Sequence, residues 1–128
     1  MFKHIKTFFS FSVDDLNKAK SFYGGILGLG AEETKEGLEL KLDDNRIFIY
    51  AKPNHVPATF TVLNFVVDDI EKSVHELSEA GVKFEIYNED YIKTDKKGIA
   101  RPTDSMPGPA GIAWFKDPAG NFLSVIQE

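Results

Sequence analysis

No cysteine occurs anywhere in these 128 residues, which removes disulfides, thiolate nucleophiles, zinc knuckles and iron–sulfur clusters together. Positive charge is also in deficit: 15 Lys and Arg stand against 20 Asp and Glu, and the basic residues are scattered. Binding to DNA or RNA needs a positive stripe that displaces phosphate counterions, so nucleic acid is not an expected partner. The opening stretch from Met1 to Phe11 is basic and then apolar. Its apolar part is short, alternates and runs into Asp14-Asp15 with no small-residue cleavage site, so we expect a first strand rather than an export signal. With no spanning segment, no membrane partner is expected and the cytoplasm is the expected location. Hydrophobic residues make up 42% and charged residues 27%, the balance of a globular chain able to bury a core.

Familiar catalytic arrangements are missing too. No paired carboxylates stand out as general acid and base. Neither Ser10 nor Ser124 has a histidine near it in sequence. Gly24-Gly25 and Gly28-Leu29-Gly30 do not join a strand to a helix, so they are helix-end punctuation rather than a phosphate cradle.

What the chain does contain is one phrase written twice. Phe11-Ser12-Val13-Asp14-Asp15-Leu16-Asn17-Lys18 returns as Phe65-Val66-Val67-Asp68-Asp69-Ile70-Glu71-Lys72, with five of eight positions identical. Each copy runs from an alternating apolar stretch through two aspartates into an amphipathic segment. Such a repeat predicts two copies of one supersecondary unit, one spanning about 1–57 and the other about 58–128 of a single domain, with a ligand at their seam.

Phe9, Phe11 and Val13 alternate with Ser10 and Ser12, the period of a half-covered strand. Asp14 or Asp15 then caps a helix carrying Leu16, Ala19, Phe22, Tyr23, Ile26 and Leu27 inward, and Gly28 stops it in the left-handed conformation. Short strands are expected near 30–35, 38–42 and 46–51. The second copy repeats the order: a strand over 59–67, a helix capped by Asp68 or Asp69 and stopped at Gly81, and a strand near 82–87. Residues 88–110 are irregular and long enough for a lid or binding loop. A closing hairpin over 112–127 turns at Asp117-Pro118-Ala119-Gly120, where Pro second and Gly fourth suit a type I turn. The order is β-α-β-β-β, twice.

The aspartate-led helix start, the helix end Phe22-Tyr23 to Leu27-Gly28, and the hairpin Trp114-Phe115-Lys116-Asp117-Pro118-Ala119-Gly120-Asn121 together resemble the vicinal oxygen chelate superfamily. Glyoxalases, extradiol dioxygenases, fosfomycin-resistance transferases and bleomycin-resistance binding proteins belong to it. The resemblance covers nearly the whole chain. It implies an α+β fold in which two βαβββ modules form an open mixed-sheet barrel with helices outside, commonly as a homodimer.

Catalytic members of that superfamily hold a divalent metal with His and Glu side chains on the concave face. Counted from the repeated phrase and from Asp117-Pro118, the corresponding positions fall on Phe8, Val62 and Ser124, and by analogy within the first module on Ile49. Three of these have no donor atom and a serine hydroxyl is a poor ligand, so we expect no metal and no cofactor. His4, His55 and His75 lie at a strand start, in the linker and on the polar side of the second helix, and do not replace the missing ligands.

The leading expectation is a metal-free binder of a small organic molecule, for drug or metabolite sequestration. Its pocket would be formed by Phe8, Ser10, Ile49, Val62, Asn64, Trp114 and Ser124 and closed by 88–110. Arg101 either clamps a carboxylate or phosphate or is an exposed arginine on the loop. Trp114 either stacks on a flat ligand or fills the core, depending on hairpin register. The rival expectations are a metal-dependent lyase, isomerase or dioxygenase with relocated ligands, and a non-catalytic partner subunit whose cavity is packed shut.

Overall fold

The computed structural model describes residues 1–128. The chain divides into two compact units, Met1–Pro57 and Ala58–Glu128, and each builds one four-stranded mixed sheet.

In the first unit, strand β1 (Phe9–Val13) leads to helix α1 (Leu16–Lys20), and a π-helical turn follows over Ser21–Ile26. Asp15 is the cap: its carboxylate accepts the backbone N–H groups of Asn17 and Lys18, satisfying donors that the first helical turn leaves orphaned. Instead of one continuous α-helix, the chain widens at Phe22-Tyr23-Gly24-Gly25, where the Leu27 N–H reaches the Phe22 carbonyl. Gly28 then takes φ 68 and ends the segment. Strands β2 (Ala31–Glu33), β3 (Leu38–Leu42) and β4 (Asn45–Ala51) complete the sheet in the order β1-β4-β3-β2, with β1 and β4 parallel. Phe11 contacts Tyr23 on the covered face, where it lies opposite Ile49 in the sheet. Leu38, Leu40, Ile47 and Ile49 are buried on that same face.

The second unit repeats the plan. Strand β5 (Thr61–Val66) leads to helix α2 (Ile70–Glu79), whose cap is Asp69, accepting the Lys72 N–H. The Gln127 side chain accepts the Ile70 N–H, tying the start of α2 to the last strand. Gly81, at φ 101, closes the helix. No strand forms over 82–87: Phe84 makes a single bridge to Phe115, and Glu85 donates one bond to the Trp114 carbonyl. The fourth strand comes later. A small hairpin, β6 (Asn88–Glu89) with β7 (Ile92–Lys93), intervenes, and β8 (Ile99–Ala100) takes the edge position. Strands β9 (Gly111–Lys116) and β10 (Phe122–Gln127) finish the sheet in the order β5-β10-β9-β8, the same order as in the first unit.

The turn between β9 and β10 is densely hydrogen-bonded. The Gly120 N–H reaches the Asp117 carbonyl at 3.0 Å, and Gly120 adopts φ 86. The Asp117 carboxylate accepts the N–H groups of Ala119 and Asn121 and the Asn121 amide. The Asn121 side-chain oxygen in turn accepts the Ala58 N–H from the start of this unit. Asp117 and Asn121 are both buried, and their mutual bonds make that burial affordable.

Candidate functional site

In the second sheet, alternate residues of β9 face opposite ways. Gly111 lies against Ile70 of α2, and Phe115 packs on Phe84, so Ala113 between them belongs to the helix side. Ile112 and Trp114 therefore belong to the open side. Register carries the same face across the neighbouring strands: Trp114 lies opposite Ser124, Ser124 opposite Asn64, and Ile112 opposite Ala100. The question left by hairpin register is answered. Trp114 shares the face of Ser124 and is only half-buried.

Above this floor lies a cleft of about 330 Å³, within the size range of small-molecule sites. Trp114, Ile112 and Ala100 form its base. Tyr91, Ile92 and Lys93 of the small hairpin form one wall, and Pro102 with Met106 to Pro109 forms the other. Both walls are locally built. The hairpin is locked by Thr94, whose N–H donates to the Tyr87 carbonyl and whose hydroxyl oxygen accepts the Tyr87 N–H. The opposite wall turns at Thr103, which exchanges two backbone bonds with Met106 and accepts a third through its side chain.

Tyr87 meets the Trp114 ring edge-on at 5.8 Å between centroids and fixes its orientation. Burial, reinforced by the Glu85 carboxylate and by Tyr91, pushes the Tyr87 phenol above its usual pKa, so it stays neutral at physiological pH. The cleft is thus aromatic and apolar, with two cations on its lining, Lys93 and Arg101.

Only one of those two is available. The Arg101 guanidinium donates to Glu71 of α2 at 2.6 Å and to the Ala110 carbonyl at 3.4 Å. Lys97 also binds Glu71, at 3.0 Å. Hydrogen bonds from Lys97 and then Arg101 hold the Glu71 carboxyl below its ordinary pKa. A group lowered in the folded state stabilises above its unfolded pKa and loses that contribution as pH falls through the folded value. Glu71→Gln should therefore lower Tm modestly at pH 7, with the gap to wild type closing as pH drops below about 4.5. Added salt should shrink the same gap. Lys93, by contrast, forms no ion pair.

The other expected pocket residues fall in three places. Asn64 and Ser124 lie beside Trp114 on the open face, where the fully buried Ser124 hydroxyl donates to the Asn64 side-chain oxygen. Val62 sits where the β5–β10 register shifts by one residue. Phe8 and Ser10 belong to the first unit, with the Arg46 guanidinium 4.5 Å above the Phe8 ring and Ser10 opposite Phe48. Ile49 is on the other face, fully buried with Phe11 and Leu38, and Phe48 and Tyr50 occupy the open-face positions that flank it. A count one residue out along β4 carries a side chain through the sheet.

The same positions test the donor set for a divalent metal. Phe8 and Val62 bring no donor atom, Ile49 is apolar and turned to the covered face, and Ser124 is already bonded to Asn64. No group of three or more His, Asp or Glu side chains converges elsewhere. These residues do not fit a metal of the kind the superfamily's catalytic members use. One polar pair was not legible in the sequence: Ser12 Oγ and His55 Nδ1 lie 2.7 Å apart although 43 residues separate them.

Comparison with known proteins agrees with this architecture. Residues 2–125 match the model of the Glyoxalase/Bleomycin resistance protein/Dioxygenase superfamily. Among solved structures, a putative glyoxalase family protein from Bacillus anthracis is similar over 100% of this chain and 99% of its own, with TM-score 0.65 and 20% identity. TnmS3, an antibiotic binding protein from Streptomyces sp. CB03234, is similar over 98% of both chains, with TM-score 0.60 and 23% identity. A lactoylglutathione lyase from Agrobacterium tumefaciens is similar over 98% of this chain and 94% of its own, with TM-score 0.62 and 18% identity. No curated protein matches the chain in sequence.

Proposed function

The chain belongs to the Glyoxalase/Bleomycin resistance protein/Dioxygenase superfamily, and from that premise we propose that it is a metal-free binding protein for a small, flat organic molecule. The observation that carries this reading is the composition of the second unit's cleft. A tryptophan floor, a methionine, three prolines and one uncommitted lysine line it, and no set of metal ligands accompanies them. Such walls favour an unsaturated ligand that stacks on Trp114, with an anionic substituent near Lys93. The likeness to an antibiotic binding protein supports sequestration of a drug or metabolite as the role. Asn64 and Ser124, on the same face, would supply polar contacts for a ligand reaching beyond the cleft.

Trp114 is the only tryptophan, so its fluorescence reports on the site directly. Titration with flat aromatic antibiotics and metabolites should quench or shift that emission saturably, and a tight binder should also raise Tm. Trp114→Ala should weaken the same ligand by about 30-fold or more when measured by calorimetry, the loss of an aromatic anchor worth about 2 kcal/mol. Lys93→Ala should weaken only anionic ligands.

A rival reading, a metal-dependent lyase, isomerase or dioxygenase, predicts stoichiometric nickel, zinc, iron or manganese after chelator-free purification and activity lost on chelation. Our reading predicts no stoichiometric metal and no change in ligand affinity with chelator. We further propose a cytoplasmic homodimer. Phe9 on edge strand β1 and Val66 on edge strand β5 are each more than 60% exposed, apolar area that a second copy would cover. Light scattering of the purified chain tests this.

A further inference from the structure

On the helix side of the second unit, away from the Trp114 cleft, α2 and the segment 82–97 enclose a second groove of about 480 Å³. No residue lines both. Its apolar part combines buried Val74, Val82 and Phe84 with Ile86, which is 58% exposed. Its charged lining is three lysines, Lys83, Lys96 and Lys97, against a single carboxylate, Glu71. That is a cationic enclave in a chain of net charge −5.

Lys97 is spent on Glu71, and Glu71 is shared with Arg101. Lys83 and Lys96 form no ion pair. The turn that carries Lys96 is rigidly built. Asp95 accepts the N–H groups of Lys97 and Ile99 through its carboxylate, and Gly98 stands at φ 93. A Cβ on Gly98 would come within 2.8 Å of the Phe84 side chain, so the turn is seated directly on the apolar floor. Two uncompensated ammonium groups beside an exposed isoleucine match a ligand of one chemistry.

We infer that this groove binds an amphipathic organic anion, a carboxylate or phosphate carried on a short apolar body. The anion lies between Lys83 and Lys96, and the apolar body covers Ile86. The volume suits a small molecule rather than a protein segment, and the lysines act as point charges that tolerate either acid.

Octyl phosphate, n-octanol and inorganic phosphate, each titrated into the 128-residue chain and followed by amide NMR, separate the contributions. Octyl phosphate should shift the amides of Ser78, Lys83 to Ile86 and Lys96 saturably, while octanol and inorganic phosphate each bind at least tenfold more weakly. K83M/K96M, which changes only exposed side chains, should keep the native spectrum and lose at least tenfold in octyl phosphate affinity. Ile86→Ser should weaken octyl phosphate while leaving inorganic phosphate unchanged. Shifts centred on Ile112 and Trp114, equal affinity for octanol, equal affinity for inorganic phosphate, or no saturable shift would each overturn the assignment. So would an acidic peptide binding these residues more tightly than octyl phosphate does.

Discussion

Gly37→Ala is expected to cost roughly 3 kcal/mol or more and to lower Tm by about 10 °C. Gly37 is buried at the entry to β3. A Cβ there would stand 2.2 Å from the backbone carbonyl oxygen of Ile49 and 3.1 Å from the Phe48 ring. A flexible side chain can swing away from such a clash, but a strand carbonyl cannot. It can recede only if β4 shifts from β3, disturbing the pairing of Leu38 with Ile49 and of Leu40 with Ile47. Those residues are the core of the first unit. Chemical denaturation of the variant checks the cost. Hydrogen exchange should show the loss concentrated in β3 and β4, with the amides of β9 and β10 keeping their protection. Stability within a few tenths of a kcal/mol of wild type would refute the argument.

Asp117→Ala should be of similar severity, on the order of 4 kcal/mol, in the second unit. The substitution strips acceptors from the N–H groups of Ala119 and Asn121 and from the Asn121 amide, all in buried residues. A buried donor deprived of its acceptor bears its desolvation penalty uncompensated. Asn121 would also lose the partner that orients it towards Ala58, so the damage should spread from the hairpin to the start of β5. Asp117→Asn retains one carbonyl acceptor and should recover part of the loss, which separates hydrogen bonding from packing. Equal Tm values for the alanine and asparagine variants would count against this account.

Legibility in the sequence followed the range of the interactions. Helix caps are local, and the two aspartate pairs announce both helices; the sequence left open which member of each pair caps, and Asp15 and Asp69 do. The final turn is likewise local, since Pro118 and Gly120 satisfy the demands of one turn type. The superfamily resemblance implied two mixed-sheet modules, whereas the order of strands within each sheet comes from the structure alone.

Three features needed geometry that the sequence does not hold. The expected strand over 82–87 gives way because the chain after Phe84 leaves the sheet for the 87–94 hairpin, and only β8 returns to pair with β9. The count that puts Ile49 on the open face is one residue out along β4, and a one-residue slip carries a side chain to the opposite face of the sheet. The bonds from Arg101 and Lys97 to Glu71, 30 and 26 residues apart, close over distances that no local pattern encodes. The irregularity of 88–110 did mark the region of the cleft, but not that its walls are a hairpin and a proline-bordered turn.

Every wall and floor residue of that cleft falls in one unbroken stretch from Tyr91 to Trp114, while both helix caps and the buried Asp117–Asn121 turn lie outside it. The lining of the cleft and the caps and turn that lock the elements thus fall to different passages, although β8 and most of β9 lie within the lining stretch and root it in the sheet. At the proposed site, edits confined to Tyr91–Lys93 and Pro102–Pro109 should alter ligand preference while Ile99 and Ala113 go on holding the core.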